Sequence, residues 1–165
     1  YLHSLGHERM AFVGHHASLG PTSERQISFK RAVGQCSPPV EFRSVTNADG
    51  PEGGRLAIRE LLATGFEPTA IVCVNDFMAV GVLRELREHG LRIPQYVSVT
   101  GFDNIKLSEF SFPPLTTVHI PRQEIGHIAF VCLVPGRDSP NTPGRDSEID
   151  PEFVVRESTG PAKTK

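Results

Sequence analysis

The sequence contains only three cysteines, Cys36, Cys73 and Cys132, and no two of them are close together in the chain. An odd number at wide spacing argues against a disulfide framework and against a cysteine-rich metal site, and it fits a reducing compartment. The histidines outside residues 15–16 show no metal-ligand spacing either. We therefore expect no metal, and we infer no other cofactor.

The sequence also lacks a strong charge of one sign and any long apolar run. Its net charge of −2 provides no basic surface, so we do not expect the chain alone to bind nucleic acid. No apolar run approaches the roughly 20 residues of a membrane-spanning helix, so no membrane partner is predicted. What remains is a chain of 165 residues, 38% hydrophobic and 22% charged, which is enough for one globular domain.

Catalytic signatures are missing as well. The sequence contains no G-x-S-x-G elbow, no Walker loop, no G-x-G-x-x-G and no H-E-x-x-H. Acidic residues occur, but no spacing places two of them across a common site. A binding module is therefore favoured over an enzyme. Because the chain begins at Tyr1, inside what resembles a helix running into a strand, we expect it to be part of a longer protein.

The pattern of apolar residues alternates between strand and helix along the chain. Apolar or alternating runs predict strands, and positions spaced i, i+3, i+4 predict the helices between them. This order is typical of a parallel sheet wrapped by helices, so the predicted fold class is α/β with three layers. The predicted strands are 9–14, 41–46, 69–75, 97–102, 116–120 and 152–158.

Residues 134–150 break this pattern. The five residues PGRDS occur there twice, and the density of proline and glycine excludes helix and strand. The repeat is too short for a solenoid, so we expect a flexible loop.

Polar side chains follow the predicted strands where ligands of open α/β sheets bind, outside the carboxyl ends. Arg25 lies in the first turns of the helix after strand 9–14, Asn75 ends strand 69–75, and Asp103 follows strand 97–102. Arginine donates in a rigid fork, a carboxylate accepts, and an amide does both. Together these groups could bracket a ligand that carries several hydroxyls.

Each of these residues also has a structural interpretation. Asp76 is expected mainly to cap helix 77–89, and Asp103 with Asn104 could simply shape a turn. Arg25 alone would more often be a surface charge. His15 and His16 lie at the same sheet edge, but solvated loop histidines are commoner than ligand contacts.

Five segments, taken in order, resemble the lac repressor/galactose repressor (LacI/GalR) family of bacterial transcription regulators. They are "LGHERMAFVG", "ERQISFKRAV", "TAIVCVNDFMAVGVLRELREHGLRIPQYVSVTGFDN", "FPPLTTVHIPRQEIG" and "EFVVRES". The resemblance implies a two-lobed effector-binding core of the periplasmic-binding-protein type I fold. It also implies that Arg25, Asn75 and Asp103 contact the effector, which is the set that the strand-end argument identifies.

The resemblance implies a division of the chain as well. Residues 1–115 would form the second lobe, 116–133 would return to a mostly absent first lobe, 134–150 would be the loop, and 151–165 would hold a closing strand and tail. The expected partners are a small-molecule effector, a sugar or polyol, and operator DNA through a helix-turn-helix headpiece outside this chain. A cytoplasmic homodimer is expected, with contacts around residues 78–83 and 106–112. For Phe110 and Phe112, ordinary core packing is the alternative.

The sequence departs from the family pattern at Ile120, where many members place a glutamine that reaches the ligand. Two other functions remain open at this point. One is a transport-associated sugar-binding protein of the same fold, which the stretch "IPQYVSVTGFDN" disfavours. The other is an α/β sugar-modifying enzyme, for which no nucleophile or base is visible.

Overall fold

The computed structural model describes residues 1–16, 20–133 and 148–163. Its elements alternate, as the apolar pattern predicts. In chain order they are a short 3-10 turn His3–Leu5, β1 Arg9–His15, α1 Pro21–Val33, β2 Glu41–Asn47, α2 Pro51–Ala63, β3 Ala70–Cys73, α3 Asp76–Glu88, β4 Ser98–Thr100, α4 Lys106–Phe110, β5 Thr117–His119, α5 Arg122–Leu133 and β6 Glu152–Val154.

Four strands form a parallel sheet in the order β2-β1-β3-β4. β1 lies in its middle, and Met10 through Val13 are all buried, because a central strand is covered on both faces. β2 lies at the edge and carries charged Glu41 and Arg43 on exposed positions, as edge strands commonly do. β3 ends at Cys73, two residues before the end of the predicted strand.

Helices cover both faces of the sheet, which confirms the predicted three-layer α/β fold. On one face, Phe29 of α1 packs between Phe12 and Phe42, with ring centroids 5.4 and 5.8 Å away. On the other face, α2 and α3 bury Ile58, Leu61 and the apolar side of α3 against the sheet. No helix in the described ranges is long and apolar enough to cross a membrane.

α2 and α3 approach each other closely because glycines lie where they cross. A Cβ atom on Gly81 would lie 1.8 Å from the carbonyl oxygen of Pro51, and one on Gly54 would lie 2.2 Å from that of Met78. These distances are far below van der Waals contact, so only glycine allows this backbone spacing.

β5 and β6 form a separate antiparallel pair, which we call the connector ribbon. It meets the end of β4 through two isolated parallel bridges, Thr100 with Thr116 and Asp103 with His119. After β6 the chain passes along β4, where the Ser158 carbonyl accepts a hydrogen bond from the Val99 amide. The ribbon is therefore attached to the sheet by few main-chain contacts.

α5 follows β5, before the chain returns in β6, and has no buried residue. Its apolar side chains stay exposed, with Phe130 at 65% and Leu133 at 80% of full exposure. The loop predicted for 134–150 lies outside the described residues except for 148–150.

Burial in this structure bears on the expectations for residues 78–83 and 106–112. Residues 78–83 are mostly buried in the chain's own core, including Met78, Ala79 and Val82, because this side of α3 faces the sheet. Within this stretch Val80 alone is partly exposed, so little of it is open to a partner, and its place in a dimer contact stays a prediction. Phe110 and Phe112 are 71% and 73% exposed, so the core-packing interpretation of these two residues is wrong. Their role in a dimer stays a prediction.

Candidate ligand-binding site

The three predicted site residues lie at one edge of the sheet. β1, β3 and β4 run parallel, so their carboxyl ends share that edge. α1, which follows β1, carries Arg25, Asn75 comes directly after β3, and Asp103 comes after β4. All three side chains are partly exposed, as a ligand contact requires.

Arg25 is held in place from three directions. Its Nη1 donates a hydrogen bond of 2.7 Å to the carbonyl oxygen of Val74, and its guanidinium carbon lies 3.8 Å from the centre of the Phe102 ring. Its Nη2 lies 3.7 Å from Oδ1 of Asp103. These contacts fix the plane of the guanidinium and leave some of its five N–H donors free. Arg25 is thus not the isolated surface charge of the alternative interpretation, and it stays a candidate ligand contact.

Asp103 faces Arg25 across the site from an unusual backbone conformation. Its φ angle is 110°, a region that L-residues rarely adopt. Partial burial raises the pKa of its carboxyl, while the charges of Arg25 and Arg122 lower it. Burial likewise lowers the pKa of Arg25, and the charge of Asp103 opposes that shift. Both groups are incompletely solvated and leave room for a polar partner.

The expected roles of Asn75 and Asp76 must be revised. Asn75, and not Asp76, caps α3: its Oδ1 accepts a hydrogen bond of 2.8 Å from the amide of Met78. Its Nδ2 donates to Oδ1 of Asp49 at 2.9 Å. Since an amide nitrogen carries two hydrogens, Asn75 retains one donor for a ligand. It is a cap and a candidate ligand contact at once.

Asp76 is fully buried behind the site. Its Oδ1 accepts a hydrogen bond of 2.6 Å from the Thr117 hydroxyl, and its Oδ2 accepts one of 2.9 Å from the Ile105 amide. Burial raises the pKa of this carboxyl, and the hydrogen bonds from Thr117, Ile105 and the backbone at Phe102 act in the opposite direction. A Cβ atom on Gly101 would lie 2.1 Å from Oδ1 of Asp76, so the carboxylate needs glycine there. Asp76 joins α3, the turn after β4 and the connector ribbon.

Three residues at the site were not predicted from the sequence. Phe102 supports Arg25, Asp49 accepts from Asn75, and Arg122 donates to the Asp103 carbonyl oxygen at 2.7 Å. Asp49 follows β2 at the same sheet edge, so its position after a predicted strand was a signal available in the sequence. The hydrogen bond from Asn75 lowers the pKa of Asp49, which favours its ionised form.

The two adjacent histidines differ in their surroundings. His15 ends β1, and its Nε2 lies 2.8 Å from the Thr22 hydroxyl. His16 is exposed, and its amide donates to the Asn47 carbonyl oxygen. His15 is thus tied to the start of α1, while His16 fits the solvated interpretation.

The charges of the site balance one another. Arg25 and Arg122 contribute two positive charges, and Asp49 and Asp103 contribute two negative ones. Donors and acceptors of both kinds therefore converge among these four groups, which suits an uncharged ligand with several hydroxyl groups. Within the described part of the chain, no group of three or more His, Cys, Asp or Glu side chains is arranged to hold a metal ion.

Comparison with known proteins places the whole chain in one family. Residues 1–159 match the family model of the periplasmic binding protein-like domain. The chain is 34% identical over 157 residues to the HTH-type transcriptional repressor PurR of Vibrio atlanticus, an alignment that covers 94% of this chain and 47% of that protein. It is 32% identical over 160 residues to the HTH-type transcriptional repressor CytR of Escherichia coli, covering 96% and 47%.

A solved structure shows the same fold. The sugar-binding transcriptional regulator of the LacI family from Escherichia coli, complexed with phosphate, superposes with a TM-score of 0.81 at 29% identity. The match covers 96% of this chain and 57% of that one. The chain thus spans about half the length of the relatives that it matches.

Proposed function

Because the chain belongs to the LacI/GalR family of periplasmic binding protein-like domains, we propose that it is the effector-binding part of a DNA-binding transcription regulator. Its effector is a small, uncharged molecule with several hydroxyl groups, a sugar or a polyol. Binding of the effector changes the affinity of the whole protein for operator DNA.

The observation that carries this proposal is the meeting of Arg25, Asn75 and Asp103 at one sheet edge. Residues 25, 75 and 103 are far apart in the chain, yet Arg25 contacts both Asp103 and the carbonyl oxygen of Val74, the neighbour of Asn75. Their donors and acceptors remain partly exposed, and their charges are balanced by Asp49 and Arg122. A neutral polyol would satisfy this set without leaving a buried charge unpaired.

The rest of the proposed protein follows from the division of the chain. Residues 1–115 form the second lobe, and residues 116–133 lead into a first lobe whose surface covers α5. The absence of buried residues on α5 supports this division. Operator DNA binds through a headpiece outside this chain, the protein is a cytoplasmic homodimer, and exposed Phe110 and Phe112 belong to the dimer contact.

The competing functions receive less support. The relatives named above are repressors and a transcriptional regulator, which favours a regulator over a transport-associated binding protein or an enzyme.

Calorimetry on the full-length protein tests the proposal. The titrants are D-ribose, D-glucose, D-galactose, cellobiose and mannitol, and the operator is selected from random duplexes with the same protein. We expect one titrant to bind and to change operator affinity in an anisotropy assay at fixed salt. If none binds and adenine or acetate does, the proposed effector class is wrong.

Site variants must preserve the fold. Asp103→Asn keeps the shape and tolerates a positive φ, Asn75→Ser keeps the helix cap, and Arg25→Lys keeps the charge but loses the fork. Loss of a charged hydrogen bond costs about 1.5–3 kcal/mol, so affinity should fall roughly 10- to 100-fold for Asp103→Asn and Arg25→Lys. Arg31→Lys, an exposed change on the same helix, is the control. Wild-type affinity in all three site variants would show that the site lies elsewhere.

A further inference from the structure

Asp103 and Asn104 form a turn that faces two parts of the molecule. They are the two non-glycine residues with a positive φ in the described ranges, at 110° and 49°. Such conformations persist only where the surroundings hold them. The side chain of Asp103 points to Arg25 and the ligand site, whereas that of Asn104 points to the connector ribbon.

The side chain of Asn104 bonds to β5 and to the segment that follows β6. Its Nδ2 donates a hydrogen bond of 3.1 Å to Nδ1 of His119, the last residue of β5. Its Oδ1 accepts one of 2.8 Å from Nη2 of Arg156, two residues after β6. The amide oxygen also accepts a hydrogen bond of 3.3 Å from the Ser108 hydroxyl, so both ends of the amide group contact protein, and one end contacts each of the two segments that join this lobe to the remainder of the proposed protein.

We call the bonds of Asn104 to His119 and to Arg156 the junction. Arg156, its second partner, is itself held by several hydrogen bonds. Its Nη1 donates to the carbonyl oxygen of Leu115 at 2.8 Å and to the hydroxyl of Ser108 at 3.2 Å. Its own amide donates to the Thr116 hydroxyl at 2.9 Å. The side chain is only 16% exposed, so these bonds are largely protected from water.

The backbone of Asp103 is tied to the same segments. Its amide donates to the Val118 carbonyl oxygen at 2.9 Å, and its carbonyl oxygen accepts from Arg122 at 2.7 Å. Asp103 and Asn104 are therefore bonded to the same two strand segments, so a shift of Asp103 toward a ligand would also displace the turn and the bonds that Asn104 makes to β5 and to the segment after β6.

We propose that Asn104 is a positioning residue that couples effector binding at Asp103 to the movement of the connector ribbon. This inference rests on the proposed function, since it names the means by which the same site regulates. Asn104 acts on the ribbon and makes no ligand contact of its own. Its loss should reduce the response to effector much more than the affinity for effector.

The test compares two readouts on the full-length protein carrying Asn104→Gly, which retains a positive φ and removes the side chain. The probe is whichever sugar or polyol of the panel the wild type binds. Allosteric coupling typically changes affinity roughly 5- to 150-fold, and in Asn104→Gly we expect operator affinity to change less than about twofold on adding the probe. The dissociation constant of the probe for DNA-free protein should stay within about threefold, because every contact of Asp103 with Arg25 remains.

One further variant separates the bond to His119 from the bond to Arg156, and another serves as a control. Asn104→Asp keeps an acceptor for Arg156 but removes the donor to His119. On adding the probe, its change in operator affinity should therefore fall between that of the wild type and that of Asn104→Gly. Asn47→Gly, at the end of β2, is the matched control, because the Oδ1 of Asn47 bonds only the next amide in the described structure, and it should respond as wild type does.

The outcomes are distinct. A full response in Asn104→Gly overturns the inference, and so does a large loss of probe affinity, which would make Asn104 a ligand contact. A wild type whose operator affinity never responds to a bound probe contradicts the proposed function instead.

Hydrogen exchange then tests the junction without operator. In Asn104→Gly, the amides of Asp103 and Arg156 should exchange at least about tenfold faster, while those of β3 stay unchanged. Unchanged exchange at both amides overturns the inference even if the variant's stability is altered elsewhere.

Discussion

The parallel sheet and the connector ribbon are stabilised in different ways. In the sheet, four strands and three helices bury a continuous apolar core that includes Phe12, Ile71 and Leu86. The ribbon is joined to that sheet largely through polar side chains, such as Thr117 on Asp76 and Arg156 on Asn104. α5, between the two strands of the ribbon, has no buried residue. Apolar burial has no preferred direction, whereas hydrogen bonds require one arrangement of their partners. The contacts of the ribbon therefore fix its position on the sheet but add less to the free energy of unfolding than the apolar core does.

The largest effect should come from a matched pair of leucines. Leu86→Ala removes a fully buried side chain from the sheet core and should lower the free energy of unfolding by about 2–5 kcal/mol. Leu133→Ala, on α5, should stay within about 0.5 kcal/mol. Urea denaturation of the 165-residue chain measures both. Equal losses would mean that α5 belongs to the same cooperative core.

Gly81→Ala tests the close approach of α2 and α3 within the sheet region. The added Cβ atom would lie 1.8 Å from the Pro51 carbonyl oxygen, and backbone must move to relieve the clash. Overpacking of this kind costs typically about 1–3 kcal/mol, although alanine is the better helix former. A thermal melt that rises above wild type would show that the two helices can separate without loss.

Thr117→Val tests the attachment of the ribbon. Valine has nearly the same shape but leaves the buried Asp76 carboxylate without its hydroxyl donor, which should cost about 1–3 kcal/mol near neutral pH. Thr46→Val, on the less buried edge strand β2, is the control. Exchange of the Asp103 amide, which donates to Val118, should accelerate more than exchange in β1.

The pH dependence of this penalty has a definite sign. Burial raises the pKa of Asp76 in the folded state, and the Thr117 hydroxyl opposes that rise. A raised folded-state pKa gives stability that is fully present below the unfolded pKa and is lost as pH rises through the folded pKa. Without Thr117 the pKa rises further, so the difference between variant and wild type should widen with increasing pH. A difference that is constant with pH would show that Asp76 does not titrate in this range.

The capping of α3 by Asn75, where the sequence predicts Asp76, depends on a contact that no local pattern reveals. Either residue type makes a good helix cap, so local chemistry does not distinguish them. The choice depends on Thr117, 41 residues further along the chain, whose hydroxyl satisfies Asp76 and leaves Asn75 as the cap. The order of strands and helices was predictable because apolar periodicity is local. The meeting of Arg25 with Asp103 was predictable because parallel strands end at one edge.

Other features of the site depend on tertiary contacts that no local pattern encodes. The stacking of Phe102 under Arg25 requires knowledge of how the turn after β4 meets α1. Burial of residues 78–83 depends on which side of α3 faces the sheet, while Phe110, at the end of the five-residue helix α4, and Phe112, just after it, stay exposed. Apolar residues therefore form core in residues 78–83 and surface at Phe110 and Phe112, although the sequence pattern does not distinguish the two segments.

The smallest effect should be the most informative about α5. Gly126 lies inside this 12-residue helix, and a Cβ atom there would meet nothing within 4 Å. Glycine in a helix interior is less favourable than alanine by about 0.5–1 kcal/mol, and a short helix without packing is marginal. Gly126→Ala should therefore slow hydrogen exchange in residues 122–133. Because α5 buries nothing, the urea midpoint of the sheet core should not change in the 165-residue chain.

In the full-length protein, the same Gly126→Ala substitution should have a different effect. If a first lobe packs on α5 as we propose, the space beside Gly126 is filled, and the alanine methyl group must be accommodated there. The gain seen in the 165-residue chain should then shrink or change sign, as overpacking typically costs about 1–3 kcal/mol. If the midpoint of the short chain itself rises by the full helix-propensity difference, α5 unfolds together with the sheet. In that case the contrast between the two regions fails, and residues 116–133 are part of the same cooperative unit.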